Sequence, residues 1–182
     1  DMVTPIMRSR AKAVNFGIVY GIGAFSLAKD IGVSNKEAKR YIESYLAHYS
    51  GVDSYMKNVV EKANADGYVE TMFGRRRNLP ELTSSKHMIR AFGERVARNM
   101  PIQGTAADII KIAMIKVDER MKAENLRARL VLQVHDELIV EAPQDESMRV
   151  ALIVQEEMEN AVKMSVPLTA DAAIGRTWYD AK

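Results

Sequence analysis

The stretch RSRAKAVNFGIVYG, at residues 8–21, decides how the beginning of this chain folds. Four of its side chains follow one another at four-residue intervals: Arg8, Lys12, Phe16 and Tyr20. In an α-helix a four-residue step advances only about 40° around the axis, so these side chains line one stripe that also includes Asn15. The stripe has two cations at its N-terminal end and two aromatic rings at its C-terminal end. Cations suit a polyphosphate and rings suit a flat base, so the pattern predicts a helix face that matches both ends of a nucleotide.

The alternative for this stretch is a helix that packs against a core and carries its cations at the surface. A packing helix usually has aliphatic residues on such a stripe, whereas a helix that only faces water has no rings there. For Phe16 and Tyr20 alone, the packing helix is the better interpretation. Cations and an asparagine on the same stripe favour the nucleotide site.

The composition is that of an ordinary folded chain of 182 residues, with 47% hydrophobic and 27% charged residues. This length suits one large or two small domains with a real core. The absence of cysteine excludes disulfides and thiolate metal sites. No apolar run approaches the roughly 20 residues of a membrane span, and no secretory signal pattern stands at the start. These features predict a cytoplasmic protein without a membrane partner.

The net charge of +2 hides an asymmetry between the two parts of the chain. Residues 1–103 contain 16 Lys and Arg against 10 Asp and Glu, whereas residues 104–182 contain 10 against 14. The first part could therefore meet phosphates, while the second carries the excess of carboxylates. Randomly distributed surface charge explains these counts equally well.

Periodicity and turn residues predict an α+β fold with a mostly helical first half. Helices are predicted over residues 5–22, 24–31, 34–48 and 53–65, with a break at Ser50-Gly51. A strand, a turn at Gly74 and a second strand follow in YVETMFGRRRNLP. The second half is predicted to contain helices at 85–99 and 104–124 separated by Pro101, strands in RLVLQV and LIVEA, a helix at 144–163 and a strand at 168–174.

Three stretches and the chain's last residues resemble the family A DNA polymerases, of the bacterial DNA polymerase I type. RSRAKAVNFGIVYG is similar to motif B, the nucleotide-binding helix of the fingers, and LQVHDELIVE (132–141) is similar to motif C of the palm. Between them, RNMPIQGTAADIIK (98–111) resembles the helix that contacts primer and template, and TWYDAK resembles the end of the family's chains. The resemblance covers essentially the whole chain in the family's order and spacing.

This resemblance implies a mostly helical fingers subdomain over residues 1–95, followed by the C-terminal part of a palm with an antiparallel sheet and packing helices over 96–182. It also implies template-directed DNA synthesis. In that reaction a nucleotidyl group passes from a deoxynucleoside triphosphate to a primer 3′ hydroxyl, with two Mg²⁺ ions in the complete site. Primer-template DNA and deoxynucleoside triphosphates are the implied partners, and a cytoplasmic, nucleoid-associated location follows.

Roles for the first stripe follow residue by residue from the resemblance. Arg8 is expected to grip the triphosphate with its planar fork, and Lys12 to act near the reacting phosphates and as general acid for the pyrophosphate. Phe16 matches the position that senses the sugar's 3′ hydroxyl. Tyr20 matches a position beside the nascent base pair.

The second set of expected site residues lies in the HDE turn of motif C. By itself a turn aspartate is usually structural or solvated, but apolar flanking strands predict burial, which makes Asp136 and Glu137 costly unless a cation is near. Mg²⁺ prefers such carboxylate oxygens together with substrate phosphates. The resemblance makes Asp136 the catalytic metal ligand, Glu137 a supporting acid and His135 a contact to the primer terminus.

Two further groups are expected to bind the primer and template. Arg95, Asn99 and Gln103 form another four-residue stripe, which the resemblance places on the helix that senses the base pair near the insertion site. A wet polar helix face is the alternative. Arg75, Arg76 and Arg77 follow Gly74 in a basic turn that could contact phosphates, although such runs are usually only solvated.

The family's other metal-binding aspartate lies in motif A, and no stretch like DYSQIELR occurs in this sequence. We therefore expect the chain to be a C-terminal fragment that works with the rest of a polymerase, including the motif A segment of the palm, the thumb and upstream domains. Alone it is expected to have little or no polymerase activity. A non-catalytic nucleic-acid-binding module and a helical phosphate-binding domain without a nucleic-acid partner are the other two hypotheses.

Overall fold

The computed structural model describes residues 2–181, so Lys182, the last residue of the TWYDAK stretch, lies outside the described residues. The fold is α+β, as predicted, with small antiparallel sheets. In chain order the elements are α1 (Pro5–Val19), α2 (Ala24–Ile31), α3 (Asn35–His48), α4 (Ser50–Asp66), β1 (Tyr68–Glu70), β2 (Arg76–Asn78), a 3-10 turn (Pro80–Thr83), α5 (His87–Ala123), β3 (Arg129–Val134), β4 (Glu137–Glu141) and α6 (Ser147–Glu159).

The chain forms two compact units, and the division falls between Gly104 and Thr105. Helix α5 runs through this division, as it does through the predicted boundary after Arg95. The names fingers and palm for the predicted ranges 1–95 and 96–182 stay a prediction.

The first unit begins with three helices whose ends are set by local chemistry. The Thr4 hydroxyl caps α1 by accepting a hydrogen bond from the Met7 amide at 3.2 Å. Helix α1 ends at Val19 rather than near residue 22, because Gly21 has a φ of +76°, which no right-handed helix contains. The Ser34 hydroxyl caps α3 by accepting a hydrogen bond from the Glu37 amide at 3.2 Å.

Two apolar clusters hold the first unit together. One joins α1, α2 and α3 around four buried residues: Leu27, Ala28, Ile31 and Ala38. The other joins α4, the β1–β2 hairpin and the start of α5 around Ala63, Val69, Leu79, Leu82 and Ala97. Each cluster buries the apolar stripe of its helices, which is the main source of helix stability in a folded chain.

The predicted break at Ser50-Gly51 is wrong, because α4 already begins at Ser50. The single non-helical residue between α3 and α4 is Tyr49, with φ −103° and ψ 60°. Its carbonyl accepts from the amides of Val52 and Asp53, at 2.9 and 3.3 Å, which starts the new helix at once. A glycine in the first turn of a helix costs little when the next turn packs.

Helix α5 is one helix of 37 residues, so the predicted division into helices at 85–99 and 104–124 is wrong. Pro101 lies inside it, where a proline removes one backbone hydrogen bond and costs about 3 kcal/mol. Ala97 and Thr105 are buried on either side of Pro101, at 0% and 7% exposure. Packing on both sides therefore stabilises the helix through the proline.

The second unit contains a hairpin and a helix that pack on the last part of α5. Strands β3 and β4 pair antiparallel, with an irregularity between Leu130 and Leu132 that leaves one residue without a partner in the register. A cluster of five buried residues fills this unit: Val117, Met121, Ala128, Val150 and Ile153.

Two sequence predictions for the second unit need correction. Helix α6 is shorter than the predicted 144–163, because the turn after Pro143 delays its start until Ser147. The predicted strand at 168–174 does not form among the described residues, since no neighbouring strand pairs with this segment there. Backbone groups of a strand need such a partner, and here the Ala170 amide donates to the Glu159 carboxylate at 3.1 Å instead.

Candidate functional site

The four-residue stripe of α1 forms a continuous face in the structure. Arg8, Lys12 and Phe16 are exposed, and Tyr20 is half-buried at the helix end. The Lys12 ammonium lies 5.9 Å from the centre of the Phe16 ring, within the range of a cation–π contact. The Phe16 and Tyr20 ring centres are 6.1 Å apart with planes tilted by 33°. The stripe therefore has the predicted order, from cations to rings.

The opposite side of α1 carries the apolar residues. Ile18 is 3% exposed, and Ala13 and Val14 pack against the cluster of α2 and α3, whereas Phe16 remains 49% exposed. A helix that buried its ring stripe in a core would show the reverse. The rings are thus available to a ligand, and the core-packing alternative for this stripe loses its support.

An open cleft of about 580 Å³ lies beside Tyr20 in the first unit. Its walls come from the end of α1, the α1–α2 turn, α2 and α5: Gly17, Tyr20, Gly21, Ile22, Gly23, Ser26 and Arg95. The cleft brings together Tyr20, predicted to bind the nucleotide, and Arg95, predicted to bind the primer and template.

Sequence reasoning missed Ser26 and the way in which the glycines shape the cleft. A Cβ on Gly17 would lie 2.9 Å from Ile22, and one on Gly21 would lie 3.2 Å from the Arg98 guanidinium. Gly21 also needs its left-handed φ of +76°. Glycines at 17, 21 and 23 within seven residues were the available signal, because glycine lets other groups approach the backbone closely.

The stripe of Arg95, Asn99 and Gln103 stays on one face, because α5 continues through Pro101. Arg95 and Gln103 are exposed, and the Arg95 guanidinium lies 5.9 Å from the Phe92 ring. Asn99 is half-buried, and its Oδ1 is fully buried without a hydrogen-bond partner among the described residues. This residue does not fit the alternative of a wet polar face, since an unpaired buried oxygen costs free energy.

The basic turn is built into the β1–β2 hairpin. The Thr71 hydroxyl accepts from the amides of Phe73 and Arg75, each at 3.2 Å. Arg76 pairs with Glu70 at 3.2 Å and stacks 4.4 Å above the Tyr68 ring, while its side chain stays 62% exposed.

Strand alternation places Arg75 and Arg77 on the face of the hairpin opposite to Arg76. Both residues are exposed. Arg77 belongs to the basic turn that the sequence indicates as a possible contact to phosphates.

In the second unit, His135 and Asp136 form a two-residue turn between β3 and β4. His135 has a φ of +53°, a conformation that few non-glycine residues adopt, and its carbonyl accepts from the Gln133 amide group at 2.7 Å. This geometry places Asp136 and Glu137 at the tip of the hairpin, where both are exposed.

The expected burial of the strands beside this turn is wrong. Val131 and Leu132 are 52% and 47% exposed, because β3 and β4 form a sheet of only two strands and α6 covers one face. Burial therefore imposes no cost on Asp136 here, and the argument for a cation from burial does not hold.

The carboxylates of the turn can supply part of a magnesium site. Mg²⁺ usually takes only one or two protein carboxylates and completes its six ligands with phosphate oxygens and water. Asp136 and Glu137 could provide these one or two carboxylates. Over residues 2–181, no group of three or more His, Asp or Glu side chains is arranged to hold a metal ion, so these residues do not form a complete cage.

A network of ion pairs in the second unit lies outside every predicted site. Arg120 on α5 contacts Glu156 and Glu157 on α6 at 2.6 and 2.8 Å, and Glu124 at 3.3 Å. The hydrogen bond from Arg149 lowers the pKa of the Glu124 carboxyl below its ordinary value. The hydrogen bonds that Arg120 donates to Glu157 and Glu156 raise the pKa of its guanidinium. The network joins α5 to α6 and is structural.

Comparison with known proteins identifies relatives over the full length of this chain. Residues 1–180 match the family described as DNA polymerase family A. DNA polymerase I of Bacillus caldotenax is 56% identical over 182 residues, which are 100% of this chain and 21% of that relative. DNA polymerase I of Bacillus subtilis (strain 168) is 53% identical with the same coverage.

A solved structure is similar as well: the POL domain of Pol1 from M. smegmatis, in complex with DNA primer-template and dNTP. Its TM-score is 0.95 at 47% sequence identity, covering 100% of this chain and 32% of that one. The chain spans about one fifth of the length of the curated relatives that it matches. No helix in residues 2–181 is both long and apolar enough to cross a membrane.

Proposed function

Because the chain belongs to DNA polymerase family A, we propose that it supplies the nucleotide-binding helix and one catalytic carboxylate for template-directed DNA synthesis. The observation that carries this proposal is the exposed stripe of α1, on which cations and rings follow one another in the order of a nucleotide's two ends. The reaction forms a bond between the primer 3′ oxygen and the α-phosphorus of a deoxynucleoside triphosphate, and pyrophosphate leaves.

In this proposal the face of α1 binds and orients the incoming nucleotide. Arg8 binds the triphosphate through its planar fork, and Lys12 neutralises the phosphates and donates a proton to the leaving pyrophosphate. Phe16 packs against the sugar, and Tyr20 flanks the base at the mouth of the cleft. Oriented contacts of this kind lower the barrier because they remove the entropy of bringing the reactants together.

The tip of the β3–β4 hairpin in the second unit would supply carboxylates for the reaction. Asp136 would hold metal, with Glu137 as a supporting acid and His135 beside the primer terminus. Two Mg²⁺ ions in the complete site, when bound, stabilise the attacking and leaving oxygens. The other protein ligands would come from the remainder of the polymerase chain, which also includes the thumb.

Primer-template DNA is the second substrate in this proposal. Arg95, Asn99 and Gln103 would contact sugars and base edges in the minor groove, where acceptors exist on every base pair. Arg75 and Arg76 would contact phosphates. Residues 1–95 would then act as fingers and residues 96–182 as part of the palm, in a cytoplasmic, nucleoid-associated enzyme.

The test exchanges the matching segment of the Bacillus caldotenax DNA polymerase I for this chain and measures single-nucleotide primer extension with Mg²⁺. We expect the hybrid enzyme to extend the primer. We expect Asp136→Ala in the hybrid to lose turnover by at least about a hundredfold, while its affinity for primer-template stays within about twofold. Extension that survives Asp136→Ala would contradict the proposed role of this carboxylate.

The hybrid enzyme and the isolated chain together separate the other hypotheses. A non-catalytic nucleic-acid-binding module predicts DNA binding without extension. A phosphate-binding domain without a nucleic-acid partner predicts that the 182-residue chain alone shows no salt-dependent affinity for DNA.

A further inference from the structure

Helix α1 is joined to α3 by a side-chain hydrogen bond that no sequence pattern indicated. The Tyr45 hydroxyl donates to Oδ1 of Asn15 at 2.6 Å, across 30 residues of chain. Asn15 was predicted to belong to the nucleotide stripe. Its side-chain oxygen is instead occupied by α3, so the residue serves as an anchor for the helix that carries the stripe.

The remaining burial of α1 is apolar and includes Ile18, which is 3% exposed. Ala13 and Val14 pack against the α2–α3 cluster, and both are small, smooth side chains. Apolar burial has no preferred direction, so such a surface allows a helix to turn or slide slightly. A hydrogen bond weakens steeply when its angle departs from linearity, and it therefore selects one rotation.

Tyr45 is itself held in place by an aromatic contact at the C-terminal end of α3. It is half-buried, and its ring centre lies 4.8 Å from that of Tyr49 with the planes at 49°. Tilted ring pairs at this separation are favourable beyond their buried area. The hydroxyl is thus presented to α1 from a fixed position.

Asn15 lies next to Lys12 and Phe16, which are proposed to bind the nucleotide. It directly precedes Phe16 and follows Lys12 by three positions, within one helical turn. A rotation of α1 by roughly 10° would displace a side-chain end about 6 Å from the axis by about 1 Å. Displacements of that size in a positioning group can cost large factors in binding and rate.

We propose that Tyr45 is a positioning residue for the nucleotide, because its hydroxyl holds Asn15 and thereby sets the rotation of α1 and the placement of Lys12 and Phe16. This inference rests on the proposed function of the α1 face. It assigns Tyr45 no contact with the nucleotide, since it acts through Asn15.

The test measures the binding of a fluorescent deoxynucleoside triphosphate, competed by unlabelled dGTP with Mg²⁺, to the 182-residue chain and to Tyr45→Phe. The substitution removes one hydroxyl and keeps the ring on Tyr49. We expect the affinity to fall by about three- to tenfold, which is the range that one hydrogen bond supplies. Hydrogen exchange of the α1 amides should become faster in the same variant, while exchange in the second unit stays unchanged.

Tyr41→Phe is the matched control. This hydroxyl lies one turn earlier on the same helix and bonds to Glu37 of α3 at 3.4 Å, so its loss should leave nucleotide affinity unchanged. A double-mutant cycle adds Asn15→Ala. If the bond carries the effect, the double variant should lose no more affinity than either single variant.

The outcomes separate the inference from the function on which it rests. Equal affinity of Tyr45→Phe and the unsubstituted chain would overturn the inference and leave the proposed function standing. Equal losses in Tyr41→Phe and Tyr45→Phe would also overturn it, because the effect would then be general to α3. If the unsubstituted chain, folded by hydrogen exchange, binds no nucleotide, the proposed function fails and the inference fails with it.

Discussion

At the scale of single residues, the first unit depends on glycines that admit other groups close to the backbone. Gly21 combines a φ of +76° with a Cβ direction that points at the Arg98 guanidinium, 3.2 Å away. Both the backbone angle and the nearby guanidinium therefore disfavour a side chain at position 21. Its flexible neighbour can move, whereas the backbone angle cannot change without rebuilding the α1–α2 turn.

We predict that Gly21→Ala destabilises the chain by about 1–2 kcal/mol, the usual cost of placing a side chain in the left-handed region. Urea unfolding followed by circular dichroism measures the change. Gly51→Ala is the control, because Gly51 lies in α4 with no atom within 4 Å of an added Cβ. That variant should be neutral or more stable by up to about 1 kcal/mol, and equal losses in both would count against the strain argument.

At the scale of elements, the end of α6 is held by a cation from α5. The Lys116 ammonium donates to the carbonyls of Asn160 and Ala161 at 2.7 and 3.0 Å, the two residues that directly follow α6, where the negative end of the helix dipole attracts a cation. Helix α6 ends at residue 159 rather than at the predicted 163, and two charge-assisted hydrogen bonds hold the chain directly after this end.

Lys116→Met keeps most of the apolar stem and removes the charge. We expect a loss of about 1–2 kcal/mol in unfolding free energy, because hydrogen bonds from charged groups lie at the upper end of the usual range. Thermal unfolding measures this loss of stability, and urea unfolding provides an independent measurement. Lys111→Met, an exposed lysine on the same helix, should change stability by less than about 0.5 kcal/mol.

The ion pairs between α5 and α6 give a prediction for acid pH. The folded pKa of Glu124 is lowered, first by the hydrogen bond from Arg149, relative to an ordinary value of 4.5. A carboxyl whose folded pKa is depressed contributes stability above that ordinary value and loses it as the pH falls through the folded pKa. Glu124→Gln should therefore lower the unfolding temperature near pH 7 and make its decrease below pH 4.5 less steep.

Glu119→Gln provides the comparison for this pH profile. Glu119 is exposed on the same helix as Arg120, and its substitution should leave the acid limb of the unfolding curve as it is in the unsubstituted chain. Parallel curves for Glu124→Gln and the unsubstituted chain would exclude the ion network as a source of acid sensitivity.

At the scale of the whole molecule, local patterns predicted most elements, whereas contacts between distant residues were not predictable. Thr4 and Ser34 act through neighbours three residues away, so the starts of α1 and α3 could be predicted. The passage of α5 through Pro101 depends on packing from several elements, which a local rule for proline does not include. The cleft needs Arg95, far along the chain from Tyr20, and neither residue type alone indicates that they meet.

The charge asymmetry of the chain yields a prediction for DNA binding. Residues 1–103 have an excess of cations and residues 104–182 an excess of carboxylates, so phosphate contacts should come from the first part. Replacing the exposed Arg75 and Arg77 by alanine should reduce the slope of log affinity against log salt by up to about 2, since each phosphate contact contributes roughly 0.9. Fluorescence anisotropy of a labelled primer-template at several salt concentrations measures this slope.

The matched control for the salt experiment removes the same charge from the acidic part. Lys163 and Arg176 are exposed there, and their replacement by alanine lowers the net charge by the same two units. If specific phosphate contacts on the hairpin carry the binding, this variant keeps the full salt slope. If both double variants lose the same amount, then only the overall charge of the chain attracts DNA, and the hairpin has no place in the primer-template site.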